Sequence, residues 1–203
     1  MQRENKPCEN FNLRGKVVLF ATNNIHKFNE ARVVLAECGI AVGMLRVKAL
    51  EIQSDSLAEI AASSAVDAYK RAQLPLIVED AGLFVDALKG FPGPYAAYFY
   101  KTIGNAGLLK LMKDEVNRKA TFRSAIAYCD RLTGETVNFE GEATGEITVQ
   151  ERKTNEKPAF GFDPIFQPDG SRKAFAEMSL EEKNGFSHRA KAICKFAEWY
   201  KKQ

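Results

Sequence analysis

Val17-Val18-Leu19-Phe20-Ala21-Thr22-Asn23-Asn24-Ile25-His26-Lys27 is the stretch on which the fold turns. An apolar run rich in β-formers passes into a polar segment, the pattern of a buried strand entering a loop. Phe28, Ala31, Val34, Leu35 and Cys38 then share one helical face, and Gly39 follows where a left-handed C-terminal cap is favoured. Such a strand-loop-helix unit turns unpaired backbone N–H groups and the positive end of the helix dipole toward the loop. An anion can be held there, with Thr22, Asn23 and Asn24 as side-chain donors and Lys27 as a charge. A plainer reading fits the same residues: Asn24 only caps the helix and Lys27 is solvated.

Working outward, Met44 to Leu50 reads as a second strand. Ser56-Leu57-Ala58-Glu59 has capping-box spacing and opens an alanine-rich helix to about Ala72, which Leu74-Pro75 ends. Leu76-Ile77-Val78 is a buried strand whose C-terminal end presents Glu79 and Asp80. Leu108, Leu111 and Met112 support a helix some way after the turn-rich Gly90-Phe91-Pro92-Gly93-Pro94. Phe122, Ile126 and Tyr128 lie at even spacing between Ala120 and Asp130. With Thr133-Gly134 as a turn into Glu135 to Gly141, they predict an antiparallel hairpin that bends or bulges at Gly141 and Gly145. A last helix begins near Ser187 and carries Ile193, Phe196, Ala197 and Tyr200 on one face.

The chain has 203 residues, 45% of them hydrophobic, enough to bury one sizeable core. It reads as one folding unit over 15–203 behind a loose extension over 1–14. Its 29 basic and 26 acidic residues leave a net charge of +3, too balanced for a surface that grips a nucleic acid polymer through many phosphates. Any phosphate binding is therefore expected to be local. Cys8, Cys38, Cys129 and Cys194 are far apart, with no Cys-x-x-Cys pair and no clustered histidines, which fits reduced thiols better than a zinc site or a disulfide framework. Residues 1–15 lack an apolar run, and no stretch approaches the roughly 20 apolar residues of a membrane span. A soluble, cytoplasmic protein without a membrane partner is expected.

Two further constellations carry chemistry. Glu79-Asp80 puts adjacent carboxylates at the end of an apolar strand, where they must be solvated, paired or bound to a cation. Magnesium takes one or two protein carboxylates, keeps waters and shares phosphate oxygens, and Glu51 can add another oxygen. Acidic residues in a solvated loop are the simpler alternative. Phe160-Gly161-Phe162-Asp163-Pro164-Ile165-Phe166, followed by Glu182-Lys183 and Ser187-His188-Arg189, offers ring faces for stacking, a turn fixed by Asp163-Pro164, and cations. By itself this segment reads better as phenylalanines that fill the core, with Ser187 capping the start of a helix.

Taken in order, these segments resemble the inosine triphosphate pyrophosphatase family, the diphosphatases of XTP, ITP and dITP. The resemblance is carried by Ala21-Thr22-Asn23-Asn24 through Lys27, Glu51-Ile52-Gln53, Val78-Glu79-Asp80-Ala81-Gly82-Leu83 and Gly90-Phe91-Pro92-Gly93. It continues through Phe160 to Phe166, Phe175-Ala176-Glu177-Met178, Glu182-Lys183 and Ser187-His188-Arg189, so it runs from about Val17 to near the C-terminus. It implies an α/β fold with a central mixed twisted sheet, flanking helices and two lobes around a substrate cleft, as a homodimer. It implies hydrolysis between the α and β phosphates of a purine nucleoside triphosphate, with Mg2+ as cofactor. Glu51 with Glu79 or Asp80 would hold the metal, and Asp80 would be the general base. Thr22, Asn23, Asn24, Ile25, His26 and Lys27 would hold phosphates. Phe160, Gly161, Phe162 and Asp163 would surround the base, with Ala81, Lys183, His188 and Arg189 completing the pocket; His188 and Arg189 are the candidates for a 6-oxo edge. The chain departs from the family pattern at Asn23, where glycine is frequent, at Ala81, where serine is common, and at Phe162, where the ring often carries a hydroxyl. A catalytically silent nucleotide sensor built on the same pocket is the reading from another class; it needs no base.

Overall fold

The apolar run forms β1 (Lys16–Ala21), and Asn24 then caps α1 (Ile25–Glu37). The computed structural model describes residues 16–131, 135–152 and 160–203; the expected loose extension, Cys8 and the Thr133-Gly134 turn lie outside them. Gly39, at φ +71, turns the chain out of α1 into β2 (Ile40–Leu45), which pairs parallel with β1 from Lys16↔Ile40 to Ala21↔Leu45. The second strand therefore begins earlier than Met44. Ile40 supplies its buried anchor, whereas 46–50 form a loop whose Val47 and Ala49 pack beneath α2 (Leu57–Ala72).

β3 (Leu76–Val85) is the main departure from expectation, because it does not end at Glu79-Asp80 but runs through them. Two neighbours sustain it. β5 (Lys119–Cys129) lies antiparallel along its length, from Leu76↔Cys129 to Val85↔Ala120. β4 (Pro92–Gly93) pairs with its far end, so close that a Cβ on Gly82 would sit 2.5 Å from the Gly93 carbonyl oxygen. The backbone is thus satisfied by the sheet, and the carboxylates must find partners elsewhere.

After β4 come the short helices α3 (Ala96–Thr102) and α4 (Gly104–Leu111). β6 (Val137–Ile147) pairs with β5 without a break from Lys119↔Glu146 to Tyr128↔Val137, so neither Gly141 nor Gly145 marks a bulge. Both glycines instead admit a close neighbour. A Cβ on Gly145 would lie 2.3 Å from the Gln167 carbonyl of β7 (Phe166–Pro168). One on Gly141 would lie 2.3 Å from the His188 carbonyl and 2.6 Å from the Ala192 nitrogen. Those last two belong to α6 (His188–Tyr200), which follows α5 (Leu180–Phe186) and crosses β6.

The sheet order is β2-β1-β3-β5-β6-β7, parallel among β1, β2 and β3 and antiparallel beyond. In one lobe, α1 and α6 cover Phe20, Ile77 and Ile126, while α2 covers Val78 and Ala127 on the opposite face. In the other, Leu83, Phe122, Phe162, Phe166 and Phe175 form a separate core. Because β3 contributes Ile77 to the first and Leu83 to the second, Glu79 and Asp80 sit where the sheet passes between lobes. Among the described residues, no helix is long and apolar enough to cross a membrane.

The close crossing of α6 over β6 makes a checkable statement about stability. Gly141→Ala should destabilise the protein by about 1–3 kcal/mol through overpacking. Gly185→Ala, where the added Cβ meets nothing within 4 Å, should be neutral or stabilising. Urea denaturation of both variants checks this, and equal midpoints would contradict the packing account.

Candidate active site

Consecutive strand residues point to opposite faces, and that geometry separates the two carboxylates. Glu79 turns toward α1 and α6. Its Oε1 accepts from Ser124 Oγ at 2.7 Å and from Arg189 Nε at 3.0 Å. Lys27 Nζ lies 2.8 Å from Oε2 in ionic contact and donates a hydrogen bond to the Glu79 backbone carbonyl at 3.2 Å. Burial alone would raise the Glu79 carboxyl, but Arg189 and Lys27 outweigh it and hold it well below the ordinary range. Glu79 is thus held as an anion, its Oε1 hydrogen-bonded twice and its Oε2 in ionic contact with Lys27 alone.

Glu30, a residue that belongs to no expected motif, completes this cluster from α1. It is 6% exposed. Its Oε1 accepts from Lys183 Nζ at 2.7 Å, and its Oε2 pairs with Arg189 Nη1. Burial opposes its ionisation, yet Arg189 and Lys183 bring its pKa down to about 2. Lys183 also donates to Asp163 Oδ2 at 2.7 Å; burial would strip its proton, but Asp163 and Glu30 hold its pKa above the usual value. Three cations, Lys27, Lys183 and Arg189, therefore face three carboxylates, Glu30, Glu79 and Asp163. Glu30 was legible in one respect: Lys27, Glu30, Ala31 and Val34 fall at helical spacing on the buried stripe of α1, and a carboxylate there must have a partner.

Asp80 stands apart from this balance. By alternation it lies with Val78 on the face of α2, and it is only partly buried. Burial raises its pKa to about 6 against the pull of Lys27, with Glu79 and Glu51 adding to the rise. Glu51 is exposed in the loop between β2 and α2. Among the described residues, no group of three or more His, Cys, Asp or Glu is arranged to hold a metal ion. A pair such as Glu51 and Asp80 fits a hard cation that takes one or two carboxylates and completes its shell with phosphate oxygens and water.

The loop after β1 does in part what the plainer reading expected. Asn24 Oδ1 accepts from the backbone N–H of His26 at 3.0 Å and of Lys27 at 3.2 Å, so it uses two donors that an anion could have taken. Thr22 Oγ1 accepts from Asn24 N at 3.1 Å, and Asn23 Nδ2 reaches the Val47 carbonyl at 3.5 Å. Ile25 is exposed. The His26 ring stacks on Phe160, with centroids 4.7 Å apart and planes 23° apart, which joins this loop to the aromatic turn.

The aromatic turn divides likewise. Phe160 is half-buried against His26, and Lys183 Nζ lies 6.0 Å from its ring centroid. Gly161 adopts φ +54. Phe162 departs from the expected base contact: it is 5% exposed and packs with Phe99 and Tyr100 in the second core. Asp163 begins a short 3-10 turn and faces Lys183. Ala81, the next residue of β3 on the Glu79 face, is partly exposed. Ser187 caps α6, accepting from Ala190 N at 3.4 Å. His188 is stacked on Phe122 at 4.7 Å with planes 7° apart, and its Nδ1 is buried without a hydrogen-bond partner. Burial, reinforced by Arg189, pushes its pKa well down, so the ring is neutral.

Comparison with known proteins follows the same line. A model of the Ham1 family matches residues 18–199. The dITP/XTP pyrophosphatase of Methanopyrus kandleri is 51% identical over 184 residues, which cover 91% of this chain and 96% of that protein. Its namesake from Thermococcus kodakarensis is 48% identical over 90% of this chain and 96% of the relative. Among solved structures, a HAM1 protein from Coxiella burnetii superposes with a TM-score of 0.80 at 26% identity, covering 93% of this chain and all (100%) of that one.

The charge cluster predicts how the protein responds to acid. A carboxyl lowered from 4.5 to about 2 stabilises the fold fully above its unfolded value, and that contribution is lost as pH falls toward about 2. The shift corresponds to roughly 3 kcal/mol. Glu30→Gln should cost about that much at neutral pH, since Lys183 and Arg189 lose their shared anion. It should also flatten the acid dependence between pH 4.5 and 2. Denaturant titrations across this window check both, and a variant with wild-type stability and slope would contradict the assignment.

Proposed function

The chain belongs to the Ham1 family, and from that premise we propose that it hydrolyses the noncanonical purine nucleoside triphosphates dITP, ITP and XTP to nucleoside monophosphate and pyrophosphate. The observation that carries the reading is the convergence of the β1-α1 loop, Glu79-Asp80, the Phe160–Asp163 turn and the start of α6 through one buried ionic cluster, with Asp80 left outside it.

In this reading Asp80 is the general base. Partial burial raises the proton affinity of its carboxylate against the pull of Lys27, and it takes a proton from the attacking water. A P–O bond forms to that water, the anhydride between the α and β phosphates breaks, and pyrophosphate leaves. The phosphates lie along Thr22 to Lys27, where the Lys27 side chain sits beside Glu79. Glu51 and Asp80 are the residues that would hold a divalent cation, read as magnesium, whose chemistry when bound is to neutralise charge building on the phosphates. Glu79, engaged by Lys27, Ser124 and Arg189, acts as the fixed anion that holds these groups in place.

The purine lies against Phe160, with Lys183, His188 and Arg189 at its polar edge. Arg189 commits two donor nitrogens to Glu79 and Glu30, and a guanidinium has five N–H groups in a rigid fork. The remaining donors suit a 6-oxo oxygen and would oppose a 6-amino group, leaving buried donors unpaired. The chain further reads as a cytoplasmic homodimer. Exposed aromatic side chains around α3, Tyr98 at 73% and Tyr95 at 41%, support a contact surface for a second copy.

Incubation with ITP and magnesium should give IMP and pyrophosphate in equal amounts, with ATP turned over far more slowly. Orthophosphate as the sole phosphate product, or binding without turnover as in a sensor, would overturn the reading. Glu51→Gln should raise the magnesium concentration for half-maximal rate about tenfold, as loss of one ligand oxygen does.

A further inference from the structure

Asn105 lies in the first turn of α4 and is 6% exposed. Its Nδ2 donates to the Gly161 carbonyl at 3.1 Å, across 56 residues of sequence. Its Oδ1 is buried with no hydrogen-bond partner. A carbonyl acceptor fixes which end of the amide faces Gly161, so the oxygen is the end left over. A buried acceptor without a partner is a burden on the fold that an apolar side chain would not impose. The bond to Gly161 is the feature that accounts for an amide here.

Gly161 is held at φ +54, and nothing lies within 4 Å of the point where a Cβ would be. Packing on that side does not impose the conformation. The turn it centres determines how Phe160 meets His26, at 4.7 Å, and where Asp163 meets Lys183, at 2.7 Å. We propose that Asn105 is a positioning residue for purine recognition: its N–H anchors the Gly161 carbonyl and thereby sets the angle at which Phe160 and Asp163 present themselves to the ring. The proposal rests on the nucleotide reading above and adds to it a residue that need not touch the substrate.

Asn105→Asp keeps the shape but replaces the donor with an anion facing a carbonyl; Asn105→Leu removes donor and orphan oxygen together. Both should raise KM for ITP, and the dissociation constant of IMP measured calorimetrically, about tenfold, the scale of one lost hydrogen bond. The turnover number should change less than about threefold, since the reacting groups are untouched. The Leu variant should melt at or above the wild-type temperature. Gly161→Ala should mimic the defect and combine with Asn105→Leu less than additively. Wild-type KM and IMP affinity in both variants would overturn the proposal, as would a collapse of thermal stability in both, which would make Asn105 a structural residue. Failure of the parent reading is separate: the wild-type chain would then release no pyrophosphate from ITP and bind no IMP.

Discussion

Burying an ion without a partner is among the costliest things a fold can do, and this chain buries a balanced set. Glu30, Glu79 and Asp163 face Lys27, Lys183 and Arg189. The partners come from α1, β3, α5, α6 and the turn at Asp163, so no element can shift far without stranding a charge. That constraint places the β1-α1 loop, the aromatic turn and the start of α6 around one point on β3. The parallel β1-β3 pair and the close α6-β6 crossing at Gly141 supply the frame.

The same geometry divides labour between neighbours in sequence. A strand that ran through Glu79 and Asp80 had to send them to opposite faces. One entered the ionic cluster and became a fixed anion. The other stayed partly buried, and that burial, with Glu79 and Glu51 adding to it, raised its proton affinity. Perturbed carboxylates that lie outside a structural ion network are what acid–base chemistry requires. The division follows from strand periodicity together with the helix cover of each face.

Much of this was legible in the residues. The strand-loop-helix from Val17, the Ser56 and Ser187 caps and the β5-β6 pairing follow from periodicity and capping chemistry. The length of β3 was not, because charged residues inside a strand look like its end until the antiparallel partner is known. The position of β2 was shifted for a related reason: the parallel register with β1, not local propensity, fixes its ends. In the site, Phe162 reads as a ring for stacking, but core packing with Phe99 and Tyr100 claims it. Glu30 carried a signal in its place on the apolar stripe of α1. Asn105 carried none, since its partner is a backbone carbonyl far along the chain.

Parallel measurement of turnover and melting temperature for Glu79→Gln and Asp80→Asn tests most directly whether Glu79 and Asp80 have separate duties. Asp80→Asn should lose about 10²-fold or more in turnover of ITP, the scale of a missing general base, and melt no lower than the wild type. Glu79→Gln should melt markedly lower, because Lys27 is left without its anion and Arg189 keeps only Glu30. Similar losses of turnover and stability in both variants, or an active Asp80→Asn enzyme, would contradict that separation.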